Sequence, residues 1–526
     1  MDGQTQSLQG LLKQAGIPIN GAPGSRPVEL NGNAPDGEIR FVRATCDSRK
    51  VLPGDVFFCL SGHRSDGHQF LAEAARRGAA AAVVAQRCEQ VFIPQIVVKN
   101  TRRAWAAACM AIQGNPAASC VIAGVTGTNG KTTTSWLLHS ILETAGHRAG
   151  LIGTIEYRLG AELCDASLTT PDSETLAQSF RKLHDQQIHH CVMEISSHAL
   201  DQDRCSAISL ETAAITNITQ DHFDYHGNAS AYRSAKMKIE ELLKADRPLL
   251  LSSDDPGCRI VQKEFAARRE CVGFGFAPES RIRITSVQES PSGSLMTLKL
   301  LRSDVTLRTP LIGRHNQLNC LLAAGMAEQL RISPSAIIEG IESVRSVPGR
   351  LERVTAGQHF SVFVDFAHTP DGIRHCISTV RPLTVGRIVF IFGAGGDRDR
   401  LKRPLMAQAA SAADVVVLTS DNPRSEVPAA ILDDLESGFS LPAEFDSLGH
   451  DRATRMPNVF RCEDREEAIR LAFSIAEPGD SVIIAGRGHE SHQEIRGQHR
   501  PFDDRLVARR LLTEMQQKDV SSPCIQ

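Results

Sequence analysis

No Cys-x-x-Cys pair occurs in this chain, although it holds 14 cysteines. They are scattered through apolar runs such as Ser119-Cys120-Val121-Ile122 and His190-Cys191-Val192-Met193. That pattern reads as reduced thiols packed in a core, without the spacing of a redox or zinc motif. Long hydrophobic runs are missing too. No window approaches the ~18 consecutive apolar residues of a membrane-spanning helix. Met1 to Gln9 is polar and lacks the basic and apolar stretches of a secretory signal, so a cytoplasmic protein is expected. A net charge of −3 leaves no electrostatic footprint for nucleic acid or an anionic membrane, so partners have to be argued from sites. Internal repeats and low-complexity tracts are absent as well.

What remains is the composition of a globular protein: 526 residues, 41% hydrophobic and 23% charged. The length predicts about three or four domains. Residues 1 to about 100 form a first unit, in which Asp55 to Leu60 and Gln95 to Val98 read as strands flanking an Ala-rich helix from Phe70 to Ala81. A helical linker, Thr101 to Gln113, ends at the turn signal Gly114-Asn115-Pro116. A second unit, 101–345, alternates apolar strands (Cys120 to Val125, Val192 to Ile195, Ala213 to Thr216, Leu249 to Ser252) with helices, which predicts a parallel sheet covered on both faces. Arg281 to Leu307 alternates apolar and polar residues and reads as a small antiparallel flap. The third unit, 346–526, repeats the strand–helix rhythm with continuous apolar runs at Val362 to Phe366, Val389 to Phe392, Val415 to Thr419 and Val482 to Ala485. Lys518 to Gln526 reads as a loose tail. The fold class is α/β.

The sharpest chemical signal is Thr126-Gly127-Thr128-Asn129-Gly130-Lys131-Thr132-Thr133, set between a strand and a helix whose apolar face is Leu137, Leu138, Ile141 and Leu142. Glycines let backbone N–H groups turn inward around phosphate oxygens, and the helix N-terminus adds partial positive charge. Lys131 would reach the terminal phosphates, and Thr132 would place a hydroxyl on Mg²⁺. The match to the usual phosphate loop is imperfect, because Val125 stands where its first glycine belongs.

Mg²⁺ needs oxygen ligands beyond phosphate. Glu194 ends an apolar strand, where open α/β sheets bind ligands, though a strand-end glutamate can equally sit in a surface ion pair. Thr216-Asn217 to Gly227, just behind another strand, crowds two aspartates and two histidines into the six residues Asp221 to His226. Those residues suit a second cation or proton handling, and suit loop bracing equally well.

Taken in order, Gly124 to Thr133, Glu194 to His198 and Asp221 to Gly227 resemble the Mur ligase family, whose members build the peptide stem of peptidoglycan. The likeness continues through Gly313-Arg314-His315-Asn316, Val347 to Arg353 and Val364-Asp365-Phe366-Ala367-His368-Thr369-Pro370. It spans Thr45 to about Arg505. The first unit, with Thr45 to Arg49 and Gly62 to Gly67, is similar to the family's uridine-nucleotide domain. Asp421-Asn422-Pro423-Arg424 resembles the signature of its meso-diaminopimelate-adding subgroup.

The resemblance implies three domains: a uridine-nucleotide domain, a central P-loop ATPase-like domain and a C-terminal Rossmann-like domain that binds the amino acid. It implies an ATP-dependent ligase that joins meso-diaminopimelate to the D-glutamate γ-carboxylate of UDP-N-acetylmuramoyl-L-alanyl-D-glutamate through an acyl phosphate. It further implies two Mg²⁺ ions, on Thr132, Glu194, His222 and a carbamylated Lys236. The nucleotide would lie against Gly127 to Thr133, Asn316, Arg350 and Asp365. The uridine substrate would meet Ser48, His63, Thr169, Thr170, Ser196, Gln202 and Arg204. Diaminopimelate would meet Arg398, Asp421, Asn422, Pro423, Arg424, Gly486 and Glu490. Lys131, Lys236 and His222 are the implied catalytic groups, and a monomer is expected.

The arginine assignment has a physical rationale. Diaminopimelate differs from lysine by a distal carboxylate, which a guanidinium fork can grip bidentately. Two departures from the family pattern stand out: Arg487 where lysine is usual, and Leu168 where some members have asparagine. A lysine-adding ligase, a folylpolyglutamate synthase, a P-loop switch or motor ATPase and a pure nucleotide-binding module are the competing readings.

Overall fold

The structure, a computed structural model, describes residues 6–14, 39–41, 43–62, 65–219, 221–290, 292–440 and 457–521. Among these residues the strands form sheets of four, eleven and six strands, with two further two-stranded pairs.

The four-stranded sheet is parallel throughout and orders Ala44–Thr45, Val56–Phe58, Ala81–Val84 and Gln95–Val97. The expected helix from Phe70 to Ala81 is divided. The helix is Leu71–Arg76, and Ala81–Val84 is a fully buried strand. Gly78, at φ +95°, ends the helix, with its own amide and that of Ala79 bonded back to Ala75 and Ala74. Dense alanine reads as helix, yet a strand buried on both faces also selects small apolar residues.

Thr101–Ile112 is helical as expected but is no linker. Asn100 caps it by accepting from the amides of Arg102 and Arg103. Its Ala104, Trp105 and Ala108 share one apolar core with Phe58 and Val83 of the first sheet and with Phe180 and Leu183 of the helix Ser173–Asp185. The first sheet is thereby packed continuously onto the second.

The eleven-stranded sheet has a parallel centre ordered Ala149–Ile152, His190–Glu194, Val121–Thr126, Leu210–Ile215, Leu249–Ser252 and Cys271–Gly275. The chain leaves Val121–Thr126 toward one side and later returns on the other, which opens a crevice at its carboxyl end. The expected flap is antiparallel, as Ile282–Ser290, Gly293–Lys299 and Asp304–Thr309. It is not separate, because Ile282–Ser290 pairs in parallel with Cys271–Gly275 and continues the main sheet. Its buried face, Met296, Leu298, Val305 and Leu307, belongs to the core under the helix Arg314–Gln329.

The six-stranded sheet orders Glu352–Arg353, Ser361–Asp365, Ser481–Ala485, Ile388–Phe392, Val415–Leu418 and Asn458–Arg461, parallel except for the first. The four runs read as buried strands are its four central members. The expected tail is partly helix: Asp504–Ser521 carries through Ser521, and 522–526 lie outside the described residues.

Candidate active site

The phosphate loop turns between the strand Val121–Thr126 and the helix Lys131–Thr144. Val125 is a buried strand residue, so the turn begins later than in the usual motif. Gly127 and Gly130 supply it, at φ +144° and +86°. A Cβ on Gly127 would come 1.8 Å from Thr216 Oγ1, so the loop lies hard against the end of the neighbouring strand. The two residues that open the histidine-rich segment behind that strand hold it there. Thr216 Oγ1 donates to the Asn129 carbonyl at 2.6 Å, and Asn217 both accepts from the Asn129 amide at 2.9 Å and donates to its carbonyl at 3.1 Å.

Two lysines enter this loop. Lys131 Nζ donates to the carbonyls of Gly127 and Thr128, both at 2.9 Å. Lys236, on the helix Ala229–Met237, is 1% exposed and donates to the same Gly127 carbonyl at 2.7 Å, with its Nζ 4.5 Å from the centre of the Tyr232 ring. Burial lowers the pKa of Lys131, against the pull of Glu194 and Asp221. Burial and then the charge of Lys131 push Lys236 well below the ordinary lysine value.

Glu194 is fully buried at the end of its strand. It accepts from Thr132 Oγ1 at 2.9 Å and from the Thr154 amide and hydroxyl, both at 2.8 Å. Thr132 Oγ1 in turn accepts from Arg350 Nη2 at 3.0 Å, a bond that joins the second sheet to the third unit. Asp371 makes another such join, accepting from Thr219 Oγ1 at 3.1 Å and Asn129 Nδ2 at 3.4 Å.

Beside the lysines, His222 sits at φ +53° with Nε2 3.4 Å from Asp221 Oδ2 and its ring 4.8 Å from that of His198. Burial alone would raise the Asp221 carboxyl, but His222, His368, Lys131 and Lys236 outweigh it and hold the group below its ordinary value. Among the described residues, no three His, Cys, Asp or Glu side chains already converge as a metal cage.

The residues expected at the uridine substrate fall into two places. Thr169 Oγ1 lies 3.1 Å from Thr154 Oγ1, and Thr170 Oγ1 donates to the Glu194 carbonyl at 2.8 Å and accepts from the Ser196 amide at 2.9 Å. Arg204 donates to the Thr170 carbonyl at 3.0 Å and grips Gln202 Oε1 with Nε and Nη2 at 3.0 and 2.8 Å. These five form one network around the Glu194 strand end. Ser48 is bonded instead to Glu73 of the first unit at 3.1 Å. His63 lies outside the described residues.

Asp365 ends its strand by accepting from the amides of Leu351 and Ala367, which fixes the segment carrying Arg350. Burial raises its carboxyl against the opposing charge of Arg350. Asn316 is buried in the first turn of its helix, donating to the Ile312 carbonyl and accepting from Asn319.

Around the third sheet, Asn422 Nδ2 donates to Glu490 Oε2 at 2.7 Å, and Gln493 donates to the Asp421 carbonyl at 2.6 Å. Gly486 sits where a Cβ would meet Asp421 Oδ2 at 2.3 Å. Pro423 packs its carbonyl against Gly396, where a Cβ would come within 1.9 Å. Arg424, at φ +49°, donates from Nε to Glu494 Oε2 at 3.1 Å and from Nη1 to the Gly396 carbonyl at 2.8 Å. The guanidinium expected to grip a carboxylate bidentately is therefore already engaged at two nitrogens. Arg398 is exposed at the neighbouring loop, with Nη1 3.3 Å from the Asp397 carbonyl.

Sequence patterns describing a Mur ligase family catalytic domain, a Mur ligase middle domain and a Mur ligase glutamate ligase domain match residues 38–112, 125–327 and 349–488. A UDP-N-acetylmuramoyl-L-alanyl-D-glutamate–2,6-diaminopimelate ligase from Geobacillus thermodenitrificans is 40% identical over 91% of this chain and 96% of its own length. The chain belongs to the Mur ligase family. A ligase of the same name from Solibacter usitatus is 41% identical over 89% of this chain and 92% of its own. A solved structure of a ligase with that name superposes with a TM-score of 0.66 at 28% identity, covering 98% of this chain and 100% of the other. A folylpolyglutamate synthase from Mycobacterium tuberculosis shares the fold at 21% identity, TM-score 0.59, over 73% of this chain and 92% of its own.

Both departures from the family pattern have definite places. Leu168 is exposed, with its carbonyl taken by Tyr157 Oη. Arg487, where family members usually carry lysine, is wholly buried beneath Asn422.

Proposed function

We propose that the chain uses ATP to ligate meso-diaminopimelate to the D-glutamate γ-carboxylate of UDP-N-acetylmuramoyl-L-alanyl-D-glutamate, giving the nucleotide-tripeptide, ADP and phosphate in peptidoglycan synthesis. The observation that carries this reading is the presence in one chain of a phosphate loop and the Asp421–Arg424 segment, with the Arg350–Thr132 hydrogen bond joining the loop's helix to the third unit that holds that segment. Relatives about 40% identical over nine-tenths of the chain bear the name of that reaction.

In this reading the loop amides and Lys131 hold the terminal phosphates of ATP. The γ-carboxylate attacks the γ-phosphorus and ADP leaves. The amine then attacks the resulting acyl phosphate, and inorganic phosphate leaves from the tetrahedral intermediate. The protein's part is positioning and charge neutralisation. The uridine substrate lies along Thr169, Thr170, Ser196, Gln202 and Arg204, a network in direct contact with Glu194, with Ser48 and His63 reserved for the nucleotide end. Asn316, Arg350 and Asp365 border the nucleotide from the domain boundary and the third unit. The amino acid lies against Arg398, Asn422, Arg424, Gly486 and Glu490, with Arg424 Nη2 toward its distal carboxylate.

Thr132 and Glu194 offer the hard oxygen donors that Mg²⁺ takes, and His222 stands beside Asp221 and the two lysines. Lys236 fits a carbamate, because its amine is buried, depressed in pKa and bonded to a single carbonyl. When bound, Mg²⁺ would neutralise charge on the phosphates, and Thr132, Glu194, His222 and carbamylated Lys236 are the residues that would hold it. The reaction is assigned to the cytoplasm and to a monomer. Among the described residues no helix is long and apolar enough to cross a membrane.

The test is an ATP-dependent ligation assay offering diaminopimelate and lysine side by side. Phosphate release should require both the nucleotide-dipeptide and diaminopimelate. Equal or better use of lysine sinks the diaminopimelate assignment, and release that needs neither substrate sinks the ligase.

A further inference from the structure

Among the described residues the three largest wholly buried side chains are arginines, Arg403, Arg465 and Arg487, all in the third unit. Burying a guanidinium is costly unless most of its donors find partners, so what each one grips is informative; in Arg487 the two terminal nitrogens are engaged and Nε is left without a partner. Arg487 grips two structures at once. Its Nη1 donates to Asn422 Oδ1 at 2.9 Å, and its Nη2 donates to the carbonyls of His492 and Phe502 at 2.7 and 3.0 Å. The two carbonyls belong to a hairpin, His492–Ile495 with Gln498–Pro501, and to the residue just after it.

The consequence falls on Asn422. Its Oδ1 accepts from Arg487 and from the Glu494 amide at 2.8 Å, so both lone pairs are taken and the Nδ2 end must face Glu490, which it meets at 2.7 Å. Glu494, on the same hairpin, holds Arg424 twice: its carbonyl accepts the Arg424 amide at 3.1 Å, and its carboxylate accepts Nε. The hairpin that Arg487 anchors is thus the hairpin that aims Arg424.

We propose that Arg487 is a positioning residue that sets selectivity for the amino-acid substrate, by orienting the Asn422 amide and anchoring the hairpin that holds Arg424. This rests on the function proposed above. A lysine in its place is shorter and presents a single ammonium rather than a planar fork. It reaches either Asn422 or the hairpin carbonyls but does not clamp both. In this chain the clamp, and with it the register between the two halves of the amino-acid site, belongs to the arginine.

The experiment compares the full chain with R487K and N422A in the ligation assay, varying ATP, nucleotide-dipeptide, diaminopimelate and lysine in turn. R487K is expected to raise the KM for diaminopimelate by about tenfold or more, the loss of one charged hydrogen bond, while the KM values for ATP and the nucleotide-dipeptide stay within about twofold. The preference for diaminopimelate over lysine should fall by a similar factor. In the double variant, N422A should add less to the R487K effect than it does alone, because both act through one amide. Equal shifts in all three KM values, an unchanged preference, or additive effects overturn the inference. Should R487K fail to fold, N422A decides alone: it must reduce the preference while sparing the KM for ATP, and an unchanged preference overturns the proposal. A parental chain that ligates neither amine overturns the proposed function itself, and this inference with it.

Discussion

Lys131 and Lys236 donate to one and the same acceptor, the Gly127 carbonyl oxygen, at 2.9 and 2.7 Å. Burial depresses both pKa values, and for Lys236 the neighbouring charge of Lys131 lowers it further. The arrangement is complete only when negative charge arrives. Phosphate oxygens answer for Lys131, and conversion of Lys236 to a carbamate turns a second cation into an anion. K236M should therefore lower ligation by about a hundredfold or more, on the scale of losing one charged group from a preorganised site. Carbon-13 bicarbonate should give a protein-bound carbamate signal in the parent that K236M lacks. A parent without that signal removes the carbamate from the account.

Gly127 tests the loop itself. Its φ of +144° and the 1.8 Å approach of any Cβ to Thr216 Oγ1 leave no room for a side chain. G127A must push the loop away from Thr216 and Asn217, which breaks the hydrogen bonds that fix Asn129. The KM for ATP should rise about tenfold or more while the thermal midpoint moves by only a few degrees, since the strain is confined to a single turn. An unchanged KM for ATP would show that the loop does not carry the nucleotide.

Acid should destabilise the fold before most carboxylates titrate. Burial lowers His315 from 6.5 to about 4 and His489 from 6.5 to about 3, so each is neutral in the folded protein where it is protonated when unfolded. Between those values the unfolded chain binds more protons, and stability falls as pH falls through 6.5 toward the folded pKa. For His315 alone the loss at pH 5 is about 2 kcal/mol. Urea midpoints measured from pH 7.5 to pH 5 should decline, and H315Q should decline less. Parallel curves for the two proteins would refute the assignment to His315.

The sequence revealed what is carried by local pattern. Val121 to Leu142 shows its strand, its turn and its buried helix face in consecutive residues, and the strand-end position of Glu194 follows from the same apolar rhythm. Contacts between distant segments left no such mark. Thr154 bonds Glu194 across forty positions, and Asp371 meets Thr219 across more than a hundred. Nothing in the residues around either one marks the partner. Ala81–Val84 was hidden for a different reason: alanine satisfies helix and buried strand alike, and Gly78 alone signals the break. Arg424 was read from its fork, but its use depends on Glu494 and the hairpin, which only packing brings near.

Arg465 and Asp504 form an ion pair with both side chains at 0% exposure, Nε and Nη2 each 2.7 Å from a carboxylate oxygen. The guanidinium also reaches the Ala485 carbonyl at 2.9 Å and the Ser420 carbonyl at 3.3 Å, so it ties two strand ends of the third sheet to the helix Asp504–Ser521. Removing one partner leaves a buried charge uncompensated, so D504A should cost about 3–5 kcal/mol of stability. The double change R465M/D504L replaces both charges with apolar volume and should cost less than D504A alone, because no charge is stranded. It should nevertheless weaken diaminopimelate use, since Ala485 and Ser420 directly precede Gly486 and Asp421. Denaturant unfolding of the three proteins together with their KM values for the amino acid separates the two effects. If the double variant proves less stable than D504A, the carbonyl bonds rather than the ion pair carry the stability of this corner.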